Sequence, residues 1–392
     1  MNHQTYQLSN HSSSTSIKRH RLAFIGGAYD SAVGRTHRTA IDMDQRFVLV
    51  AGVFSRNKER NYLSSIKYGL DENALFFNVD EMIEKSKQEI DAVVILTPQS
   101  EHYKYVIKCI ENNIPVICEK SLAGDVSDVL KIKDSIELNN GFLAVTYNYT
   151  GYPMVRELQQ IVQSGELGSI QQIHLEMPQE GFLKRDLDGN PVKPQKWRLN
   201  DEEIPTLSLD LGVHLHGLVK FIVGCSPKEV VSSSRTYGNF NGISDNVQCL
   251  VKYTNDIEGT IWYGKTALGN RNGMKVRIFG NNGSALWIQE KPENLYLTDV
   301  HGNKFTLDRG NPNIKIASQD RYQRFKVGHP AGFIEAFANY YYDIADMLEK
   351  FKYNNTCIHN NYVFGVDESL EGLKFLEAVT LSSKTNKWVT IN

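Results

Sequence analysis

The 392-residue chain is 41% hydrophobic and 22% charged, an ordinary balance for a globular protein, and it is longer than one hydrophobic core usually serves, so two domains are expected. A formal net charge of -2 lacks the basic surplus that nucleic acid or an anionic membrane surface calls for, and no apolar run reaches the ~20 residues of a bilayer-spanning helix. The five cysteines are scattered without C-x-x-C spacing, which argues against a disulfide framework or zinc knuckle and fits a reducing, cytoplasmic setting.

In chain order, residues 1–20 (MNHQTYQLSNHSSSTSIKRH) are serine-rich and acid-free and read as a disordered tail. From residue 21 apolar runs alternate with helical patterns: RLAFIGG, FVLVAGVFS, IDAVVILTP, IPVICEK and GFLAVTYNY (141–149) read as strands, with a helix over 100–113. That alternation predicts βαβ units and a parallel sheet covered on both faces, an α/β domain over 21–145. The texture then changes. MVRELQQIVQSGELGSI reads as a helix stopped by Gly165, and runs such as IQQIHLEM, NVQCLVKYT and EGTIWYGKTA predict antiparallel strands. An α+β domain over 146–392 follows. EGFLKRDLDGNPVKPQKWRLNDEEIP (180–205) is expected to be a long polar excursion over a pocket. The aromatic stripe Phe333, Phe337, Tyr341 at i, i+4, i+8 reads as core packing of a long helix.

The turn AFIGGAYDSAVGRTHRTA follows a strand and opens a helix, the context in which a G-x-G-x-x-G motif cradles a dinucleotide diphosphate. The pattern would put glycines at 26, 28 and 31. The chain has Gly26, Ala28 and Ser31, adds Gly27 and Gly34, and sets Asp30 where the diphosphate should lie. Gly26 and Gly27 allow a tight turn beside Ala28, and Ser31 is an N-cap that leaves helical N–H groups facing an anion. Asp30 must turn aside for this to work; otherwise the turn binds nothing. The second strand ends in Ser55-Arg56 rather than an acid, which favours the 2′-phosphate of NADP over NAD, unless Arg56 merely stacks on adenine or lies in solvent.

VICEKSLA carries Lys120 to the carboxyl edge of the parallel sheet, where ligands bind in such folds. SLDLGVHLHGLVKF holds Asp210, His214 and His216; if helical, Asp210 and His214 share a face. Two histidines two apart with no third ligand do not make a metal site.

Together with ILTPQSEHYKYVIKCIENNIPVICEK, QSGELGSIQQIHLE, KWRLN, DLGVH and GHPAGFIEAFANYYYDIA, these residues resemble the Gfo/Idh/MocA oxidoreductases from about residue 21 to the C-terminus. The resemblance implies a Rossmann domain followed by an α+β domain with an open, mostly antiparallel sheet, through which copies associate as a homodimer or homotetramer. It implies hydride transfer between NAD or NADP and a secondary hydroxyl or ketone of a sugar or cyclitol. Lys120 would then stabilise the alkoxide, His214 take the hydroxyl proton and Asp210 orient the imidazole. Thr97, Pro98, His102 and Glu119 join the cofactor-binding set, although His102, like His174 and His216, also reads as structural. Tyr149, Trp197 and Arg198 are candidate substrate contacts, with plain packing as the alternative. Four departures stand out. Ser121 replaces the proline after the lysine, so a trans peptide is expected there. Gly217 stands where an acid is frequent, Gln99 where asparagine is, and YNYTGYP lacks arginines. Redox-assisted glycoside hydrolysis and a non-catalytic cofactor-sensing role remain open alternatives.

Overall fold

The computed structural model describes residues 19–354 and 360–392; all but the last two residues of the expected tail lie outside the described residues. The first sheet has five parallel strands in the order β2-β1-β3-β4-β5: β1 (His20–Gly26), β2 (Phe47–Val53), β3 (Ala92–Leu96), β4 (Val116–Cys118) and β5 (Leu143–Val145). Their apolar runs are continuous because both faces are covered: Val93, Val94, Ile95, Val116 and Ile117 have no exposed surface. The helices are α1 (Ala32–Met43), α2 (Lys58–Tyr68), α3 (Val79–Ser86), α4 (His102–Glu111) and α5 (Val126–Asn139). The run expected as a strand to Tyr149 ends at Val145, and Tyr149 sits in a 3-10 turn over Asn148–Gly151.

After α6 (Pro153–Gln163), closed by Gly165 at φ 78°, the chain builds a nine-stranded sheet. Its strands are β6 (Ile170–Pro178), β7 (Pro227–Arg235), β8 (Asn246–Tyr253), β9 (Glu258–Gly264), β10 (Lys275–Gly280), β11 (Gly283–Ile288), β12 (Leu295–Asp299), β13 (Lys304–Leu307) and β14 (Val389–Thr390). Every pairing is antiparallel except β6 with β9. One face is covered by α7 (Val213–Val223) and α9 (Val366–Thr385). In β8, Val247, Cys249 and Val251 are buried while Gln248, Leu250 and Lys252 point out, the alternation of a sheet with one open face.

The long helix α8 (Phe333–Asn354) packs against α1. Phe337 and Tyr341 are buried against His37, at ring distances of 5.0 and 5.7 Å, whereas Phe333, the first residue of the expected stripe, is 40% exposed. Tyr340 donates its hydroxyl to the Val145 carbonyl (2.6 Å) and accepts from the Phe364 N–H (2.9 Å), fastening the last segments to the edge of the first sheet. Among the described residues no helix is long and apolar enough to cross a membrane.

Candidate active site

A cavity of about 910 Å³ runs along the carboxyl edge of the first sheet, from the glycine turn to Asp210. Its first end is backbone. Gly26 and Gly27 have φ of 82° and 70°, a region closed to most side chains. A Cβ on Gly26 would stand 2.7 Å from the Leu96 backbone, and one on Gly34 would stand 2.2 Å from the Gly27 carbonyl oxygen. The departures from the motif therefore leave the close approach of α1 to the strand ends intact. Ser31 caps α1, its Oγ accepting from Gly34 N–H at 3.4 Å, and Ala28 and Ser31 line the cavity. Asp30 is turned onto Arg60, whose Nε donates to both carboxylate oxygens at 2.8 and 3.0 Å. That pair removes the repulsion an unpaired carboxylate would exert on a diphosphate.

Ser55, Arg56, Thr97, Pro98, His102, Glu119 and Lys120 all line the same cavity. The exposed Arg56 guanidinium is paired with Glu101 from the turn before α4. His102 is buried, with Nδ1 facing the Ser121 carbonyl (2.8 Å) and Nε2 the Thr97 carbonyl (2.9 Å); it sits between two wall segments, and a neutral ring donates to one of the two carbonyls. The Lys120–Ser121 peptide is cis, correcting the trans peptide expected without proline; Ser121 is buried and donates its hydroxyl to the Ala123 carbonyl at 2.9 Å.

Glu119 shows a partner that the sequence did not reveal. His37 is fully buried, with Nε2 2.9 Å from Glu119 and Nδ1 2.6 Å from the Tyr341 hydroxyl, and Thr146 donates to the same Glu119 oxygen at 2.6 Å. Burial pushes the Glu119 carboxyl up, but the hydrogen bond and charge of His37, with Lys120, outweigh it and hold the group below its usual range.

At the other end Asp210 gathers three cations. Lys120 Nζ lies 3.0 Å from its carbonyl and 3.4 Å from Oδ1; Lys265 Nζ lies 2.8 Å from Oδ2, to which Arg198 is also paired. Burial raises the Asp210 carboxyl, yet Lys120, Lys265 and Arg198 together depress it far below the carboxylate range. Lys265 also donates to Gln179 (3.1 Å), and Gln179 donates to Asn272 (3.0 Å), which in turn donates to the Tyr149 hydroxyl (3.0 Å). Lys265, Gln179 and Asn272 went unread because a lone polar residue at a strand end or in a loop carries no local signal.

His214 departs from the expected triad. The chain makes a π-helical turn over Ser208–Gly212 before α7, and the extra residue shifts the face on which later side chains stand. Asp210 makes its ion pairs with Lys120, Arg198 and Lys265, while the His214 ring meets Tyr149 edge-on at 4.6 Å and its buried Nδ1 has no partner. Among the described residues no hydrogen bond joins Asp210 to the imidazole; Tyr149 packs edge-on against it, and both Tyr149 and His214 are buried and stand outside the set of residues that line the cavity. Burial and the Lys120 charge lower the His214 imidazole well below its ordinary value, against the pull of Asp210. Trp197 and Arg198, on the 180–205 excursion, line the cavity, with the Arg198 guanidinium 4.4 Å over the Trp197 ring. His216 is remote from this chemistry: it bonds Glu371 at 3.1 Å and stacks on Phe375. At position 217 a Cβ would come within 2.8 Å of the Tyr147 ring, which is why glycine fits there.

Residues 20–147 match the oxidoreductase family with an NAD-binding Rossmann fold, and residues 155–286 match the GFO/IDH/MocA C-terminal domain. The chain belongs to the Gfo/Idh/MocA oxidoreductase family. It is 29% identical over 381 residues to the oxidoreductase YfiI of Bacillus subtilis (strain 168), covering 94% of this chain and 96% of that one. Glucose-6-phosphate 3-dehydrogenase of the same organism is 26% identical over 301 residues, 75% of this chain and 76% of the relative. Among solved structures, an inositol dehydrogenase homolog from Azotobacter vinelandii complexed with NAD+ superposes with a TM-score of 0.84 at 25% identity, covering 95% of this chain and 97% of that one. An oxidoreductase from Sinorhizobium meliloti gives 0.82 at 28% identity, covering 95% and 99%. The Rossmann domain of this family member is therefore an NAD-binding one, and the glycine cradle, the capped helix and the paired Asp30 fit that cofactor.

Proposed function

We propose that the protein is a nicotinamide-dependent dehydrogenase that interconverts a secondary hydroxyl and a ketone on a sugar or cyclitol. The observation that carries this reading is Lys120, which lines the cofactor cavity while its ammonium group rests on Asp210 at the far end. Gly26, Gly27, Ala28 and Ser31 would hold the diphosphate, Ser55, Arg56 and Glu101 the adenosine ribose, and Thr97, Pro98 and Glu119 the remaining wall. The bound dinucleotide supplies a two-electron hydride acceptor or donor. NAD is favoured over NADP, against the bias of the Ser55-Arg56 pair alone, because Glu101 already neutralises Arg56 and would repel a 2′-phosphate.

When the carbinol carbon loses hydride, its hydroxyl must lose a proton. His214 is the acceptor, being neutral over the physiological range because burial disfavours its charged form. Lys120 donates a hydrogen bond to the same oxygen and stabilises the alkoxide as charge develops. Asp210 anchors Lys120, and Tyr149 packs edge-on against the imidazole. The excursion bearing Trp197 and Arg198 covers the substrate and limits water. Leu250 and Phe279 lie exposed on the open face of the nine-stranded sheet, which supports association of copies through that face; sedimentation velocity reads the state.

The test is a spectrophotometric assay of the purified protein with NAD+ and NADP+ against a panel of hexoses, sugar acids, sugar phosphates and inositols. Turnover that falls ~10²–10³-fold in Lys120→Met is the expected result. Absence of turnover with every substrate, together with absence of NADH binding, overturns the reading.

A further inference from the structure

The charge around Asp210 does not balance. One carboxylate meets Lys120, Arg198 and Lys265, whose side chains are 15%, 27% and 6% exposed. Of the other acids on the cavity wall, Glu119 is shared between His37, Thr146 and the charge of Lys120, Glu101 is paired with Arg56, and Glu202 is solvent-exposed. With Glu119 counted, two carboxylates face three cations at this end, so one positive charge is in surplus, and buried charge is costly unless something pairs it. The three cations also differ in place. Lys120 and Arg198 line the cavity, whereas Lys265 does not; it reaches Asp210 from the sheet side, from the residue after β9, and is held by Gln179. Lys265 pairs with Asp210 from behind, so Arg198 and Lys120 share that carboxylate with a third cation, and of the two only Lys120 has Glu119 beside it as well. Burial and the neighbouring Arg198 and Lys120 charges lower the Lys265 ammonium below its usual range, despite Asp210.

We propose that the substrate is an acidic sugar or cyclitol, whose carboxylate or phosphate is received by the Arg198 guanidinium beside Lys120, with Lys265 acting as the positioning residue that keeps that end of the cavity positive. This rests on the dehydrogenase reading and narrows it. An alkoxide forms only as the reaction proceeds, whereas the surplus positive charge is present in the resting site and calls for an anion in the ground state. Arg198 suits it, because its fork binds carboxylate or phosphate in two-point fashion and its loop, stacked on Trp197, can exchange Asp210 for the ligand.

The experiment uses the full chain loaded with cofactor and pairs of compounds that differ in charge: glucose against glucuronate and glucose 6-phosphate, galactose against galacturonate, and myo-inositol against inositol 1-phosphate. kcat/KM is measured for oxidation, and binding is measured by calorimetry. The acidic member of at least one pair is expected to be preferred ~10–100-fold, the range of a hydrogen bond to a charged group. Glucuronate and galacturonate against the phosphates tells carboxylate from phosphate. Arg198→Gln, on a half-exposed loop, and Lys265→Met are each expected to shrink the acidic-to-neutral ratio ~10-fold or more, a readout that a general loss of structure would not move. Equal or better use of the neutral members overturns the inference and leaves the dehydrogenase standing, the cations then serving the alkoxide alone. Acidic sugars that bind through Arg198 but are not oxidised support the inference and overturn the dehydrogenase reading. Failure of every compound to bind or react overturns both.

Discussion

At the glycine-turn end of the cavity the walls are main chain: Gly26, Gly27 and Gly34 bring strand and helix together so closely that a Cβ on Gly34 would lie 2.2 Å from a carbonyl oxygen. At the Asp210 end the walls are charged side chains from separated segments, Lys120 after β4, Arg198 in the excursion, Asp210 in the π-helical turn and Lys265 after β9. A backbone cradle tolerates little change in geometry yet carries no substrate preference. A side-chain cluster tolerates substitution of its members and carries most of the preference. Cofactor grip and substrate choice are thus separately breakable.

The largest effect is expected at the base. His214→Asn should lower kcat ~10²–10⁴-fold with NADH affinity little changed, checked by steady-state kinetics beside a fluorescence titration. A comparable loss of NADH affinity would show that the two ends are not separable. Gly34→Val should do the reverse, weakening NADH binding ~100-fold, about 2.7 kcal/mol, because a Cβ there would lie 2.2 Å from the Gly27 carbonyl oxygen and α1 must move away from the turn. Its melting temperature should fall as well.

The pH dependence sharpens the same contrast. Because His214 titrates below an unperturbed imidazole's 6.5, its proton-accepting form persists on acidification, and the acid limb of kcat/KM should fall below that pH rather than at it. The folded state also binds fewer protons at His214 than the unfolded chain, so this contribution to stability is present above about 6.5 and lost as pH falls further. In Lys120→Met the limb should move up towards 6.5, since one cause of the depression is gone. The smallest effect is expected at the adenosine end: Glu101→Gln frees Arg56 and should raise the NADPH-to-NADH affinity ratio roughly tenfold, the worth of one exposed charge-assisted contact.

The strands of the first sheet were legible because they are covered on both faces and read as unbroken apolar runs, and the glycine turn because its conformation admits few residues. The alternation of β8 announced a sheet with one open face. Boundaries and partnerships were less accessible. β5 stops at Val145 because the next residues turn beneath Phe364, not because the apolar run ends. The stripe on α8 was legible as packing, but its partner, α1 and its buried His37, was not. Asp210 and His214 sit four residues apart, which in an α-helix means one face; a single π-helical turn sends them to different neighbours.

The sequence by itself determined the Rossmann half, the cradle for a dinucleotide and the presence of a lysine, an aspartate and a histidine suited to hydride chemistry on a hydroxyl, since these follow from local periodicity, backbone permissiveness and side-chain type. Only the tertiary structure decided that Asp210 pairs with Lys120, Arg198 and Lys265, that Tyr149 packs edge-on against His214, and that Arg56 and Asp30 pair with Glu101 and Arg60. Such pairings join residues far apart in the chain. The electrostatic energy that selects them acts across space, and no local pattern records it.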